Sequence, residues 1–229
     1  MESPHRIYDV RKKGLLSVFL LSKNGMFNRV QVLRGASQRW FSSHRERLLI
    51  KLHARGIIDQ KLDLLKVLNQ SEYVRVDENF FNASVASHLR HSLDHFSYAL
   101  SVQMDCESNQ KLTYDIRKRG GVVEIDLEAA VQSVLDMRCV IDSLDVNNTA
   151  LWSKPVQAVF IADPKTQQTY AATSTFEREL SFVAHHSTHH LAMIRVMLNA
   201  QGIQLNSTSI GMANSTQIHN AAEEHGKTN

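Results

Sequence analysis

Four segments of the chain carry apolar residues at the spacing of an α-helix, and this pattern limits the fold more than any other feature. They lie at about 44–73, 82–103, 124–144 and 175–202. Glycine and proline, which interrupt helices, number only nine and three among 229 residues. The sequence therefore predicts an all-α protein whose four helices form a four-helix bundle.

The connections between these helices are expected to be irregular, with one exception. Residues 155–174 alternate polar and apolar side chains around a Pro-Lys-Thr turn, which predicts a β-hairpin or extended segment in the long connection between the third and fourth helices. Residues 107–121 are polar and are expected to form a loop. Gly56 is expected to bend or interrupt the first helix.

Composition divides the chain into three regions: a basic segment at 1–42, the helical bundle at 43–203 and a polar, aperiodic tail at 204–229. Residues 26–43 contain arginine, serine and apolar residues but no acid, which is typical of organelle transit peptides, and Met26 could itself be the start. The stretch Arg39-Trp40-Phe41 before two serines is similar to mitochondrial processing sites. We therefore favour a mitochondrial location; the alternative is a cytoplasmic protein with a basic tail.

Charge and hydropathy exclude two classes of partner. Residues 1–41 hold eight basic side chains against two acidic ones, so the remaining residues carry 18 basic against 21 acidic. The basic excess is N-terminal, and no basic helix or aromatic platform indicates nucleic-acid binding. The longest apolar run, GLLSVFLLS, is about half the length that crosses a bilayer, so no membrane span is predicted. Two cysteines are too few for a disulfide framework, which favours a reducing compartment.

Seven of the twelve histidines fall in two of the predicted helices. On the second helix His88, His91 and His95 occupy positions i, i+3 and i+7 and so form one stripe. On the last helix two pairs are each one turn apart, His185 with His189 and His186 with His190. Apolar side chains that favour burial share the face of the second pair: Phe182, Met193 and Met197. We therefore expect His186 and His190 to point into the bundle.

This arrangement suits a metal ion. Two imidazoles one helical turn apart can both reach one ion at about 2.0–2.1 Å, and a third from a facing helix completes a set of three. Three protein ligands leave positions open for water or substrate, as in catalytic sites. All-imidazole ligation favours Zn²⁺ or Ni²⁺ as the cofactor. The competing interpretation is a metal-free core in which the histidines are satisfied by hydrogen bonds.

The stretches HLRHSLDHF at 88–96 and HHSTHHLAMI at 185–194 resemble the DinB/YfiT-like superfamily of metal-binding four-helix bundles. The N-terminal metal-binding domain of ergothioneine-synthesis sulfoxide synthases is similar. The resemblance covers about residues 45–202. It implies three metal ligands, of which one comes from the second helix and two from the last helix: His91, His186 and His190. In that family Arg-Gly-Gln often follows the last ligand, whereas this chain has Leu-Ala-Met.

Several neighbouring residues have two interpretations each. His88 or His95 could replace His91 as the third ligand. Asp94 could orient a ligand ring or form a salt bridge with Arg90, its neighbour one turn earlier. Glu179 could be a base or an acid that stabilises the first turn of its helix. The basic loop at 113–121 could contact an anionic substrate or simply be solvated.

The resemblance implies a metal-dependent hydrolase that acts on a small-molecule substrate. One alternative is a transferase that uses an external low-molecular-weight thiol, since no cysteine lies near the histidines. Others are a metal-binding bundle without turnover and a metal-free pH-sensing protein, because clustered histidines titrate near neutrality. No single residue is assigned a catalytic role. A homodimer is the expected oligomer, although no sequence feature defines its interface.

Overall fold

The computed structural model describes residues 42–104, 110–116, 119–205 and 207–227, together with the backbone of 10–12, 15–21 and 27–31. The chain divides into two units, Met1–Trp40 and Phe41–Asn229. In the first unit three strands pair antiparallel in the order β1-β2-β3: Val10–Lys12, Leu15–Leu21 and Phe27–Gln31. The Arg39-Trp40-Phe41 pattern lies outside the described residues, so the transit peptide stays a prediction.

The second unit is mainly helical, which confirms the helical class predicted from periodicity. None of the helices in the described ranges is long and apolar enough to span a bilayer. A short 3-10 turn lies at Val122–Glu124. The seven α-helices are α1 His44–Leu65, α2 Gln70–Val74, α3 Val85–Ser101, α4 Leu127–Asp142, α5 Thr149–Trp152, α6 Phe176–Ala200 and α7 Asn214–Lys227.

The four long helices α1, α3, α4 and α6 enclose the core. Both α1 and α3 pack against α4 and against α6, so each helix has two neighbours. All four contribute fully buried apolar side chains, including Ile58, Leu89, Val134 and Leu191. Burying such side chains stabilises the fold by about 1.5–3 kcal/mol each, far more than intrinsic helix propensity.

Capping residues set where helices α3 and α6 begin and where α6 ends. The Ser84 hydroxyl accepts from the backbone N–H of Ser87 and so begins α3, within two residues of the predicted start. Thr175 caps α6 in the same way through Arg178 N–H. Gly202, at φ +76°, follows the end of α6 in the left-handed conformation that glycine tolerates.

The first predicted helix differs from the structure in two respects. It was expected to run to Tyr73, but α1 ends at Leu65 because Asn69 caps a new helix through the backbone N–H of Glu72. Gly56 does not interrupt α1, so that prediction was wrong. A glycine costs about 1 kcal/mol in a helix. The buried side chains on either side of it, Ala54 and Ile57, offset that cost by packing into the core.

A three-stranded sheet lies beside the helices and was only partly anticipated. Strands β5 (Pro155–Asp163) and β6 (Gln168–Thr175) pair antiparallel within the connection before α6. Strand β4 (Gln110–Thr113) pairs parallel to β5, in a region that was expected to be a loop. Its Leu112 side chain is buried, so β4 closes part of the core.

The C-terminal region was expected to be loose, yet it returns to the helices. Ile210 is buried, and the backbone N–H of Gly211 donates to the Gln60 side chain at 3.1 Å. A Cβ at Gly211 would lie 2.4 Å from the backbone nitrogen of Ala192. Only glycine permits this approach to α6, and α7 follows directly.

A buried polar chain joins three of the long helices. The Lys61 ammonium, on α1, donates to the Ser92 hydroxyl of α3 at 2.5 Å. The Ser92 and Ser187 hydroxyls, from α3 and α6, lie 2.8 Å apart. Lys61 is only 1% exposed, and burial lowers its pKa to about 7. These hydrogen bonds therefore hold α3 and α6 side by side. Ser92 and Ser187 directly follow His91 and His186 in the sequence.

We expect Lys61→Met to change how stability depends on pH. Between about pH 7 and the ordinary lysine pKa, the unfolded chain holds a proton that folded Lys61 has released. The wild-type free energy of unfolding should therefore rise with pH in this window, by up to about 1 kcal/mol per pH unit, relative to the variant. Urea midpoints at pH 7 and pH 9 measure this difference. The exposed Lys66→Met is the control, and equal slopes for wild type and Lys61→Met would contradict the prediction.

Candidate metal centre

Five histidine side chains from two packed helices form one cluster. Neighbouring rings have centroids 4.4–5.7 Å apart. On α6 the side chains of His185 and His189 are exposed and lie at the edge, although the His189 ring centroid is 5.5 Å from that of His190. The members of the cluster are His88, His91 and His95 from α3, and His186 and His190 from α6.

The pair on α6 has the geometry that one ion requires. The Nε2 atoms of His186 and His190 lie 3.0 Å apart. Two nitrogens that bind one ion at about 2.0–2.1 Å are themselves separated by roughly 3 Å. The two ring planes cross at 78°. Because an imidazole lone pair lies in the plane of its ring, crossed planes allow both lone pairs to meet at one point.

His91 approaches this pair from α3. Its ring centroid lies 4.8 Å from that of His190 and 5.7 Å from that of His186, with planes crossing at 87° and 85°. Rings that share a tetrahedral ion have centroids about 5 Å apart. The three residues implied by the family resemblance are thus close together and mutually edge-on.

His95 forms a second candidate set with two of the same residues. The ligand nitrogens of His91, His95 and His186 all lie within 4.8 Å of one another. However, the His95 ring stacks on His186 at 28° and on Tyr114 at 15°. The lone pairs of stacked rings run side by side and do not converge. The distances between ligand nitrogens therefore select the set with His95, whereas ring orientation favours His190.

His88 holds the far side of the His190 ring. Their Nδ1 atoms lie 3.2 Å apart, so one ring donates and the other accepts. A ligand imidazole that binds through Nε2 usually donates its Nδ1–H to a fixed acceptor, which sets the tautomer and the ring orientation. His88, which is also buried, can supply that acceptor to His190.

The cluster keeps His190 uncharged. Burial, and then the neighbouring rings of His186 and His91, lower the pKa of His190 to about 2. A neutral imidazole retains the lone pair that a metal ion requires. The ring is therefore ready to act as a ligand throughout the physiological pH range.

Glu179 anchors the opposite side of the cluster. Its buried carboxylate accepts hydrogen bonds from Tyr114 at 2.7 Å, Ser174 at 2.5 Å and Arg178 at 2.7 Å. Burial and the Glu179 charge raise the pKa of Tyr114, which therefore remains a donor, and its ring stacks on His95. These contacts, in the first turn of α6, favour the structural interpretation of Glu179 over a role as base.

A buried ion-pair network forms one wall beside His91. The Arg90 guanidinium donates to Asp94 and to Glu124, each at 2.9 Å. The salt-bridge interpretation of Asp94 is thus confirmed. Glu124, on the 3-10 turn, was not anticipated, because no periodicity marks an acid in a short turn and only the fold brings it to α3.

A cavity of about 490 Å³ opens beside three of the histidines, His88, His91 and His190. Arg119 and Phe81 contribute to its lining. His95 and His186 are not among its lining residues. A ligand in the cavity would therefore meet the cluster on the side formed by His91 and His190.

Comparisons with known proteins do not assign this chain to a family. A scan against protein-family models and a search of curated proteins found no match. Among solved structures the chain is similar to YfiT from Bacillus subtilis, with 13% identity and a TM-score of 0.49 over 75% of this chain and 97% of that one. YfiT is described as a probable metal-dependent hydrolase with an unusual four-helix bundle topology. The roles of single residues therefore depend on the geometry of this chain.

We expect Tyr114→Phe to destabilise the protein by about 1–3 kcal/mol, because it leaves the buried Glu179 carboxylate without one of its donors. The free energy of unfolding from urea denaturation measures the loss. Tyr98→Phe is the matched control, since its hydroxyl donates to the exposed Ile116 carbonyl. Equal losses in the two variants would show that the Tyr114–Glu179 hydrogen bond contributes no more to the free energy of unfolding than the exposed Tyr98–Ile116 hydrogen bond.

Proposed function

We propose that the four long helices form a bundle of the DinB/YfiT type and that the protein is a metal-dependent hydrolase. The proposed ligands are His91, His186 and His190. The observation that carries the proposal is the 3.0 Å approach of the two Nε2 atoms on α6, with the His91 ring edge-on to both, beside a cavity. A divalent ion held by three imidazoles, for which the donor set favours Zn²⁺ or Ni²⁺, would supply Lewis-acid activation of water.

The residues of the chain itself would position the reactants. His88 fixes the ring of His190, while the Lys61–Ser92–Ser187 chain holds the two ligand helices in register. The acid of the cavity wall, Glu124, is engaged by Arg90. No cysteine is found among the described residues that line the cavity, so the transferase alternative would need an external thiol.

Metal content distinguishes the two candidate ligand sets. Purified wild type should carry about one divalent ion per chain, and His186→Ala and His190→Ala should each lose it, because removing one of three ligands leaves an incomplete set. His95→Ala should retain the ion. His189→Ala, an exposed neighbour, is the control. Full occupancy in His190→Ala together with loss in His95→Ala would replace His190 by His95 in the site.

Chelator sensitivity tests the reaction. Metal-loaded wild type should hydrolyse some members of a panel of 4-nitrophenyl esters and anilides, and a chelator or His186→Ala should reduce the rate to background. Restoring Zn²⁺ or Ni²⁺ to the chelated wild type should restore the rate. A protein that binds metal stoichiometrically but shows no chelator-sensitive hydrolysis would support the alternative of a bundle without this turnover. Activity that appears only with an added low-molecular-weight thiol would support the transferase.

A further inference from the structure

We propose that the cavity beside His91 and His190 takes a small amphiphilic organic anion, bound by Arg119 through its acidic group and by Phe81 through its apolar part. This inference rests on the proposed function, because it names the class of substrate that the same site would accept. It draws on the charges that line the cavity and on the unusual backbone at its edge.

The charge balance of the cavity leaves one cation uncompensated. Arg90 is paired with Asp94 and Glu124, so its charge is already neutralised. Arg119 also lines the cavity, is exposed, and forms no ion pair with any residue in the described ranges. A planar guanidinium that is exposed and forms no ion pair can bind a carboxylate through two parallel hydrogen bonds. The cavity therefore favours an anionic ligand.

The edge of the cavity presents an aromatic ring to solvent. Phe81 is 81% exposed and lines the cavity. Its φ of +59°, followed by +49° at Asn82, places two consecutive non-glycine residues in the left-handed region. For phenylalanine this conformation is unfavourable, because its Cβ crowds the backbone there.

The surrounding turn maintains this conformation. Asp77 and Ala83 form a β-bridge across it, and the Ala83 N–H donates to the Phe80 carbonyl at 3.0 Å. The Asn79 N–H donates to the Asp77 carboxylate at 3.0 Å. Strain of this kind, held by neighbouring hydrogen bonds, concentrates at ligand-binding positions. An exposed ring that gains nothing from packing in the free protein would gain buried area when a ligand covers it.

The size and remaining lining agree with a ligand that is polar at one end. The volume of about 490 Å³ lies within the range of small-molecule sites. Met193 and Ala83 add apolar surface on the side of Phe81. With its acid on Arg119 and its apolar part on Phe81, a ligand would have its reacting group beside His91 and His190.

Three simple probes test this division of roles. We expect 4-phenylbutyrate to bind wild type about fivefold more tightly than 4-phenylbutanol, which lacks the charge, and than butyrate, which lacks the ring. Calorimetry or ligand-observed NMR would give the affinities. The measurements are made on Zn²⁺-loaded protein and again with chelator, because a carboxylate could bind the ion itself.

Two variants assign the preferences to residues. Arg119→Gln should abolish the preference for the acid over the alcohol, and Phe81→Asn should abolish the preference for 4-phenylbutyrate over butyrate. Asparagine tolerates the left-handed conformation, so this variant should fold. Arg45→Gln and Ile218→Ser, two exposed positions outside the cavity, should leave both preferences unchanged.

The outcomes separate this inference from the proposed function. A wild type that binds one ion but shows neither preference would overturn the inference alone. An acid preference that persists in Arg119→Gln and disappears with chelator would show that the ion captures the carboxylate, and it would also overturn the role of Arg119. If the protein binds no metal but still shows both preferences, the anion site is supported and the metal-dependent hydrolase is contradicted.

Discussion

Packing five imidazoles between two helices, with His88, His95 and His190 buried, is the constraint on which the rest of the structure depends. Every buried polar nitrogen needs a partner, and several charged rings could not lie this close together. The rings therefore engage one another, as the His88–His190 and His186–His190 contacts show, and the lowered pKa keeps His190 neutral. The same ring orientations that provide these contacts also direct nitrogen lone pairs toward a common point.

The surroundings of the cluster make its two ends different. At one end Tyr114 stacks on His95 and is fastened to the buried carboxylate of Glu179, so that end is closed. At the other end His190 borders a cavity whose wall is the Arg90 ion-pair network. Contact with an external ligand is therefore favoured at the end formed by His190, even though the distances between ligand nitrogens select the set with His95.

Sequence periodicity predicted the long helices because each buries a continuous apolar stripe. It failed where long-range packing decides: Gly56 stays helical because its neighbours are buried, and strand 110–113 exists only because β5 lies beside it. The histidine pair on α6 was predictable from its one-turn spacing. The choice on α3 was not, because His88, His91 and His95 form one stripe on that helix. The choice of His91 over His95 that we propose depends on how each ring is oriented to His186.

The cluster joins parts of the chain that are synthesised far apart, since His88 and His190 are separated by 102 positions. An ion bound there would cross-link the N-terminal and C-terminal halves of the polypeptide, and it would bind only to the folded state. By mass action, each tenfold rise in free metal above the dissociation constant would then add about 1.4 kcal/mol to the folded state. Metal supply in the cell would therefore set the abundance of this protein as well as its activity.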